Sequence, residues 1–221
     1  MLNNIESGAL RENKIEIQEG NLQDLKAVYA ALEEEFAPEE RKNFNHLAML
    51  MKKGNYKLLL AKDKSLGTVI GYAFIYEIDS IKALWLDYMA IMSKFQNAGY
   101  GTALFNKIAE WKKGEVTGIF IEVEIPQAKG GESRENQLRR IRFYERLGAK
   151  RLMLAYELPT LRGGFPMHLY FHPASDTRVL YKEQIRHAIA SAFSGIHSDI
   201  PQKESVLKSF YDKVQDEYFE G

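Results

Sequence analysis

The chain has 221 residues, 45% of them hydrophobic and 12% aromatic, with 30 Lys+Arg balanced by 30 Asp+Glu and no cysteine. That is enough apolar material for a core, in one domain with an extension or in two small ones. A net charge of zero gives no support for a nucleic-acid partner, and the missing cysteine removes disulfides, thiolate metal sites and a Cys nucleophile. No apolar run approaches the ~20 residues that span a bilayer, and Met1–Glu19 has no basic start followed by a long apolar stretch, so a cytoplasmic protein without a membrane partner is expected.

Lys14–Gln18 alternates apolar and polar residues, as a half-buried strand does. Asn21 offers a helix cap, and Leu22, Leu25, Val28, Leu32 and Phe36 follow at helical spacing. After Pro38 a second helical pattern carries Phe44, Leu47, Leu50 and Met51 and stops at Gly54. Tyr56–Lys62 reads as a strand and Asp63–Gly67 as a turn. Thr68–Ile78 and Lys82–Met92 read as an antiparallel hairpin around Asp79-Ser80. Gly99–Lys113 is predicted helical and Gly118–Ile125 a strand. Gln127–Glu135, with Gly130-Gly131, is predicted to be a loop. Asn136–Leu147 is a helix ended by Gly148. Lys150–Leu158 and Met167–His172 are strands joined by a turn-rich stretch. Strands that first run together and then alternate with helices imply a mixed sheet with helices on its faces. From Asp176 onward, Leu180, Ile185, Ile189 and Phe193, then Val206, Phe210, Val214 and Tyr218, mark two amphipathic helices that break near Asp199–Pro201. They are expected to cover the sheet or to form a homodimer, since an apolar stripe has to be buried somewhere.

The chemically informative run is Leu84–Leu104. An apolar strand ends near Met92, a short loop follows, and Gly99-Tyr100-Gly101 opens an apolar helix. This places backbone N–H groups at a helix N-terminus, where aligned donors and the helix dipole hold anions. Glycines let a phosphate approach the backbone without a Cβ in the way. No Gly-Lys-Ser/Thr follows, so the segment is not a Walker loop. The missing third glycine and the lack of an opening βαβ unit exclude a Rossmann fingerprint.

Gln96-Asn97-Ala98-Gly99-Tyr100-Gly101 resembles the Gln/Arg-x-x-Gly-x-Gly/Ala signature of the GNAT superfamily of N-acetyltransferases. Asp87–Ile91 is similar to the strand before that signature, and Arg142–Ala149 to the family's later helix-and-turn motif. The resemblance implies an α/β (α+β) fold: a mixed, mostly antiparallel central sheet of about seven strands flanked by helices. It implies an acetyl-coenzyme A-binding domain over residues 1–175, with 176–221 as a helical extension outside the resemblance. Backbone N–H groups of Gln96, Asn97, Ala98, Gly99, Tyr100, Gly101 and Thr102 would cradle the coenzyme A pyrophosphate. Met89, Ala90 and Ile91 would offer main-chain hydrogen bonds to the pantetheine. Tyr144 would protonate the leaving thiolate, the phenol's ordinary pKa of ~10 lying above a thiol's ~8.5. Without the motif, Tyr144 would read as a core aromatic on the face of Ile141 and Leu147. The family's Asn seven positions before that Tyr is Gln137 here, with Asn136 beside it, and Arg140 replaces a usual small residue.

Acetyl transfer needs a neutral amine and hence a proton acceptor. Asp87, on the face of Trp85 and Met89, is one candidate, and Glu124, near the C-terminal end of its strand, is another. Glu122 on the same face reads more simply as a solvated charge. The basic run from Arg134 to Arg151 reads mainly as a solvated face. His168 and His172 lack a third ligand, so no metal is expected. Acetyl-coenzyme A is the expected cosubstrate and a small-molecule amine the expected acceptor. A protein Lys or N-terminus, and a noncatalytic acyl-coenzyme A sensor, are the alternatives.

Overall fold

The computed structural model describes residues 11–36, 41–126 and 131–219. Its elements in chain order are β1 (Ile15–Gly20), α1 (Leu22–Glu35), α2 (Phe44–Lys52), β2 (Tyr56–Asp63), β3 (Val69–Ile78), β4 (Ala83–Ile91), α3 (Tyr100–Trp111), β5 (Gly118–Glu124), α4 (Glu132–Arg146), β6 (Lys150–Arg151), β7 (Glu157–Thr160), β8 (Gly163–Pro173), β9 (Val179–Leu180), α5 (Lys182–Gly195), α6 (Lys203–Phe210) and β10 (Glu217–Tyr218). Eight strands form one sheet in the order β1-β2-β3-β4-β5-β8-β6, with β7 also on β8. The pairs β1–β2, β2–β3, β5–β8, β6–β8 and β7–β8 are antiparallel. The fold class expected from the resemblance is therefore present, with eight strands against about seven because residues 150–158 divide between β6 and β7. Among the described residues, no helix is long and apolar enough to cross a membrane.

Two compact units divide the chain, one spanning 1–77 and 86–113 and the other 78–85 and 114–221. In the first unit, Asn21 caps α1 through Gln23 and Asp24, and Asp24 reaches back to the Asn21 N–H in a capping box. Leu25, Val28 and Leu32 then fall on one buried face. Asn43 caps α2 through the His46 N–H. β2 and β3 are buried on both faces, which is why their sequences run apolar without alternation. Gly71 on β3 lies so close to the end of β4 that a Cβ there would sit 2.8 Å from the Ala90 carbonyl oxygen.

In the second unit, Trp85 stacks on Phe120, with ring centroids 5.5 Å apart, and Phe120 on Phe171 at 4.8 Å. The extension folds onto this unit. Tyr156 meets Phe193 of α5 at 6.1 Å and Phe210 of α6 at 5.5 Å. The apolar stripe of the extension is thus buried within the chain. β9 and β10 pair with each other at its two ends.

Four expectations change. Helix α4 begins at Glu132, four residues before the predicted Asn136. The first turns of α4 are polar on all sides, so apolar periodicity gives no sign of them; residues 127–130 of the expected loop lie outside the described residues, as does Pro38. Lys150–Leu158 is not one strand but β6, an irregular link and the start of β7. The turn-rich stretch with Gly163, Gly164 and Pro166 is mostly strand, because β7 and β8 close a hairpin from Thr160 to Gly163. Helix α6 stops at Phe210, and Tyr218, placed by periodicity on its apolar stripe, is an exposed residue of β10.

Candidate active site

The first unit carries the strand–loop–helix segment. β4 ends at Ile91, a short 3-10 turn covers Ser93–Phe95, and Gln96 is extended. Asn97 takes φ 60° and Gly99 φ 82°, two left-handed residues separated by one. Asn tolerates this conformation better than other side-chain-bearing residues, and Gly adopts it without strain. Gly99 is the N-cap of α3 and gives it no side-chain cap, unlike Asn21 on α1. The first-turn N–H groups of Tyr100, Gly101 and Thr102 therefore meet no acceptor from their cap residue, an arrangement suited to a pyrophosphate.

The signature's side chains hold the loop from outside. Gln96 Nε2 donates to both oxygens of Glu35, at 3.0 Å each, and to the Ile91 carbonyl at 2.9 Å. The Tyr100 hydroxyl donates to Asp63 at 3.0 Å and accepts from Arg11 at 3.2 Å, with the Arg11 guanidinium 5.0 Å from the Tyr100 ring centroid. Asp63 also accepts from the Ser65 N–H, the Ser65 hydroxyl and the Leu66 N–H. These bonds hold its carboxyl at about 2, the Ser65 hydroxyl contributing most. The expected donor set narrows accordingly. The Gln96 N–H closes the 3-10 turn on the Ser93 carbonyl at 3.2 Å. The Ile91 carbonyl already accepts from Gln96. Met89 and Ala90 are half-buried at the end of β4.

Asp87 lies two residues before Met89, with a side chain only 4% exposed. Its Oδ1 is 3.0 Å from Lys42 Nζ, and its Oδ2 accepts from the Tyr56 hydroxyl at 2.5 Å. Sequence reasoning missed Lys42 and Tyr56 as neighbours of Asp87, because contacts made across 45 and 31 residues leave no local pattern.

The second unit carries the other candidates. Tyr144 is buried on α4, and that burial pushes its phenol up to about 12; Arg140, one turn earlier, acts in the opposite direction. Glu124 pairs with Arg140. The residue that departs from the family pattern therefore holds one candidate base. Glu122 is not a solvated charge. It accepts from the Tyr156 hydroxyl and lies 3.4 Å from Trp85 Nε1. Gln137 is half-buried and Asn136 exposed on α4. His168 and His172 are both pushed down, by burial first. Among the described residues no group of three or more His, Cys, Asp or Glu is placed to hold a metal.

The model of the Acetyltransferase (GNAT) family matches residues 25–149, more than half of the chain. A Bacteroides thetaiotaomicron protein assigned to the same family superposes with TM-score 0.65 at 24% identity, over 82% of this chain and 97% of its own. A spermidine N-acetyltransferase mutant from Vibrio cholerae superposes with TM-score 0.57 at 15% identity, over 75% and 96%. A dodecameric structure of spermidine N-acetyltransferase from the same organism gives 0.55 at 14%, over 74% and 95%. An uncharacterized protein of Dictyostelium discoideum is 29% identical over 80 residues, which is 36% of this chain and 18% of that much longer one. On the family match, whose span includes the strand, loop and helix described above, the chain belongs to the GNAT family of acetyltransferases.

Proposed function

We propose that the protein transfers an acetyl group from acetyl-coenzyme A to a primary amine of a small molecule. The observation that carries this reading is the left-handed turn at Asn97 and Gly99 opening an α3 without a side-chain cap. A loop that turns its Gln96 and Tyr100 side chains into the scaffold leaves its backbone donors to an anion. The fold shared with spermidine N-acetyltransferases supports a small amine as acceptor.

In this reading the N–H groups of Asn97, Ala98, Gly99, Tyr100, Gly101 and Thr102 hold the pyrophosphate. Met89 and Ala90 supply main-chain bonds to the pantetheine, and Asn136 or Gln137 steadies it. Bound acetyl-coenzyme A supplies an activated thioester carbonyl. Tyr144 keeps its proton at neutral pH and gives it to the leaving sulfur. Asp87 or Glu124 accepts the amine's proton, each after releasing its present cation, Lys42 or Arg140. The cytoplasm is the proposed compartment.

The test is calorimetric titration with acetyl-coenzyme A of the wild type and of a Gly99→Glu, Gly101→Glu double variant. Binding that the variant loses supports the cofactor site, and thiol release with spermidine as acceptor then reads transfer. Well-folded wild type that does not bind acetyl-coenzyme A sinks the proposal. Binding without thiol release over a panel of amines and Lys peptides favours a sensor instead.

A further inference from the structure

We infer that Asp87, Tyr56 and Tyr88 form the subsite for the acceptor's ammonium group, and that the Lys42 ammonium is its built-in occupant, which the acceptor displaces. The inference rests on the proposed acetyl transfer and adds where, and as what chemical class, the acceptor binds. Asp87 supplies a nearly buried carboxylate whose second oxygen is oriented by the Tyr56 hydroxyl. The Tyr88 ring supplies a face, with Lys42 Nζ 5.1 Å from its centroid. Around them the rings of Phe36, Tyr88, Phe74 and Tyr56 form an aromatic wall. Phe36 meets Tyr88 at 5.1 Å, Phe74 meets Tyr88 at 5.9 Å, and Tyr56 stacks on Phe74 at 5.8 Å. A single carboxylate, an oriented phenol and ring faces are the recognition elements of an alkylammonium ion.

The present occupant has that chemistry. A lysine side chain is a primary alkylammonium with an apolar four-carbon stem. Lys42 lies outside any helix or strand, just before the α2 cap residue Asn43. Its backbone is held separately from its ammonium, through its N–H on the Tyr88 hydroxyl at 3.0 Å and its carbonyl on the Tyr29 hydroxyl at 3.4 Å. The side chain can therefore leave while the segment stays in place. A strand advances ~3.3 Å per residue, so Asp87 lies ~7 Å from Met89, along the strand proposed to hold the pantetheine. An amine seated on Asp87 is thus next to the end of β4 at which transfer is proposed. The acceptor class is an unbranched primary amine whose ammonium can sit over the Tyr88 ring, as the Lys42 ammonium does.

n-Butylamine, which has the stem and charge of lysine, is the probe. It is titrated calorimetrically, without acetyl-coenzyme A, into wild type, Lys42→Ala, Lys42→Met and Lys42→Ala/Asp87→Asn, each checked for cooperative melting. Lys42→Ala should bind at least about tenfold more tightly than wild type, and the Asp87→Asn change should abolish the gain. Lys42→Met keeps the stem's packing without its charge, so a smaller gain is expected there, of about threefold, even if the alanine variant fails to fold. In thiol-release assays the KM for n-butylamine should fall in the Lys42 variants; a merely structural ion pair would not lower KM when broken. Folded Lys42 variants that bind n-butylamine no better than wild type overturn the inference, as does a gain that survives Asp87→Asn. These titrations omit the coenzyme, so their failure is distinct from loss of acetyl-coenzyme A binding in the glycine variant.

Discussion

Gly71→Ala tests how the end of β4 is positioned. The new Cβ would lie 2.6 Å from Ile91 Cδ1 and 2.8 Å from the Ala90 carbonyl oxygen. The methyl of Ile91 can rotate away. The carbonyl belongs to the backbone and has to retreat by about 0.4 Å or more to reach ordinary contact. Overpacking of this kind costs about 1–3 kcal/mol. At about 2–4 °C per kcal/mol for a chain of this size, the melting temperature should drop by about 2–12 °C. If the Ala90 backbone bonds the pantetheine, displacing it forfeits about one neutral hydrogen bond, or about 0.5–1.5 kcal/mol. The Kd for acetyl-coenzyme A should then rise about 2- to 12-fold. Gly20→Ala on β1 is the control. Its nearest atoms are Leu58 Cδ2 at 2.9 Å and Cγ at 3.0 Å, which belong to a side chain. It should lower the melting temperature by less and leave Kd unchanged. A Gly71→Ala protein that is destabilised but binds acetyl-coenzyme A as wild type does would remove the end of β4 from the cofactor site.

Two further changes address the remaining groups. Tyr144→Phe should lower kcat about 100-fold with Kd for acetyl-coenzyme A within about twofold. With the phenol pushed up to about 12, wild-type kcat should hold to about pH 10. A kcat left unchanged by Tyr144→Phe, or an alkaline fall that is the same in both proteins, would refute the assignment. Asp63→Asn addresses the anchor of Tyr100. A carboxyl held at about 2 contributes stability above its unfolded pKa near 4, and that contribution is lost as pH falls through about 2. The melting gap between wild type and Asp63→Asn should therefore be full at pH 5–7 and narrow between about pH 4 and pH 2. A gap independent of pH would show that the charge on Asp63 does not hold the turn.

What was legible in the sequence was local. The apolar face of α3 and the glycines before it are spaced as helix and loop physics require, so the sequence alone places Gly99 and Tyr100. The Asn21 cap of α1 was readable for the same reason. The start of α4 was not, since a helix beginning with Glu132, Ser133, Arg134 and Glu135 has no apolar stripe to announce it. The partners of the candidate bases were also invisible. Lys42 meets Asp87 across 45 residues and Tyr156 meets Glu122 across 34, and such pairings depend on strand order. Periodicity placed Glu122 on a polar face. It did not show that Trp85 and Tyr156 supply donors to that face.

The pairing of β9 with β10 makes the extension a handle clasped at its base. Leu180 faces Glu217 and Val179 faces Tyr218, while the Phe219 N–H reaches the Arg178 carbonyl at 2.9 Å. Glu217 also accepts from the Met153 N–H, Asp216 from the Lys182 N–H, and Phe219 packs on Phe171 at 5.5 Å. Helices α5 and α6 thus leave and rejoin the second unit at almost the same point. Topologically the extension behaves like an inserted module whose two ends are fastened together, and closing such a loop costs little more however long it grows. Helices could be lengthened, exchanged or decorated between Lys182 and Asp216 with the clasp intact. Losing the segment from Asp216 to Phe219, by contrast, would open the clasp and leave the packing of Phe193 and Phe210 on Tyr156 to hold the helices.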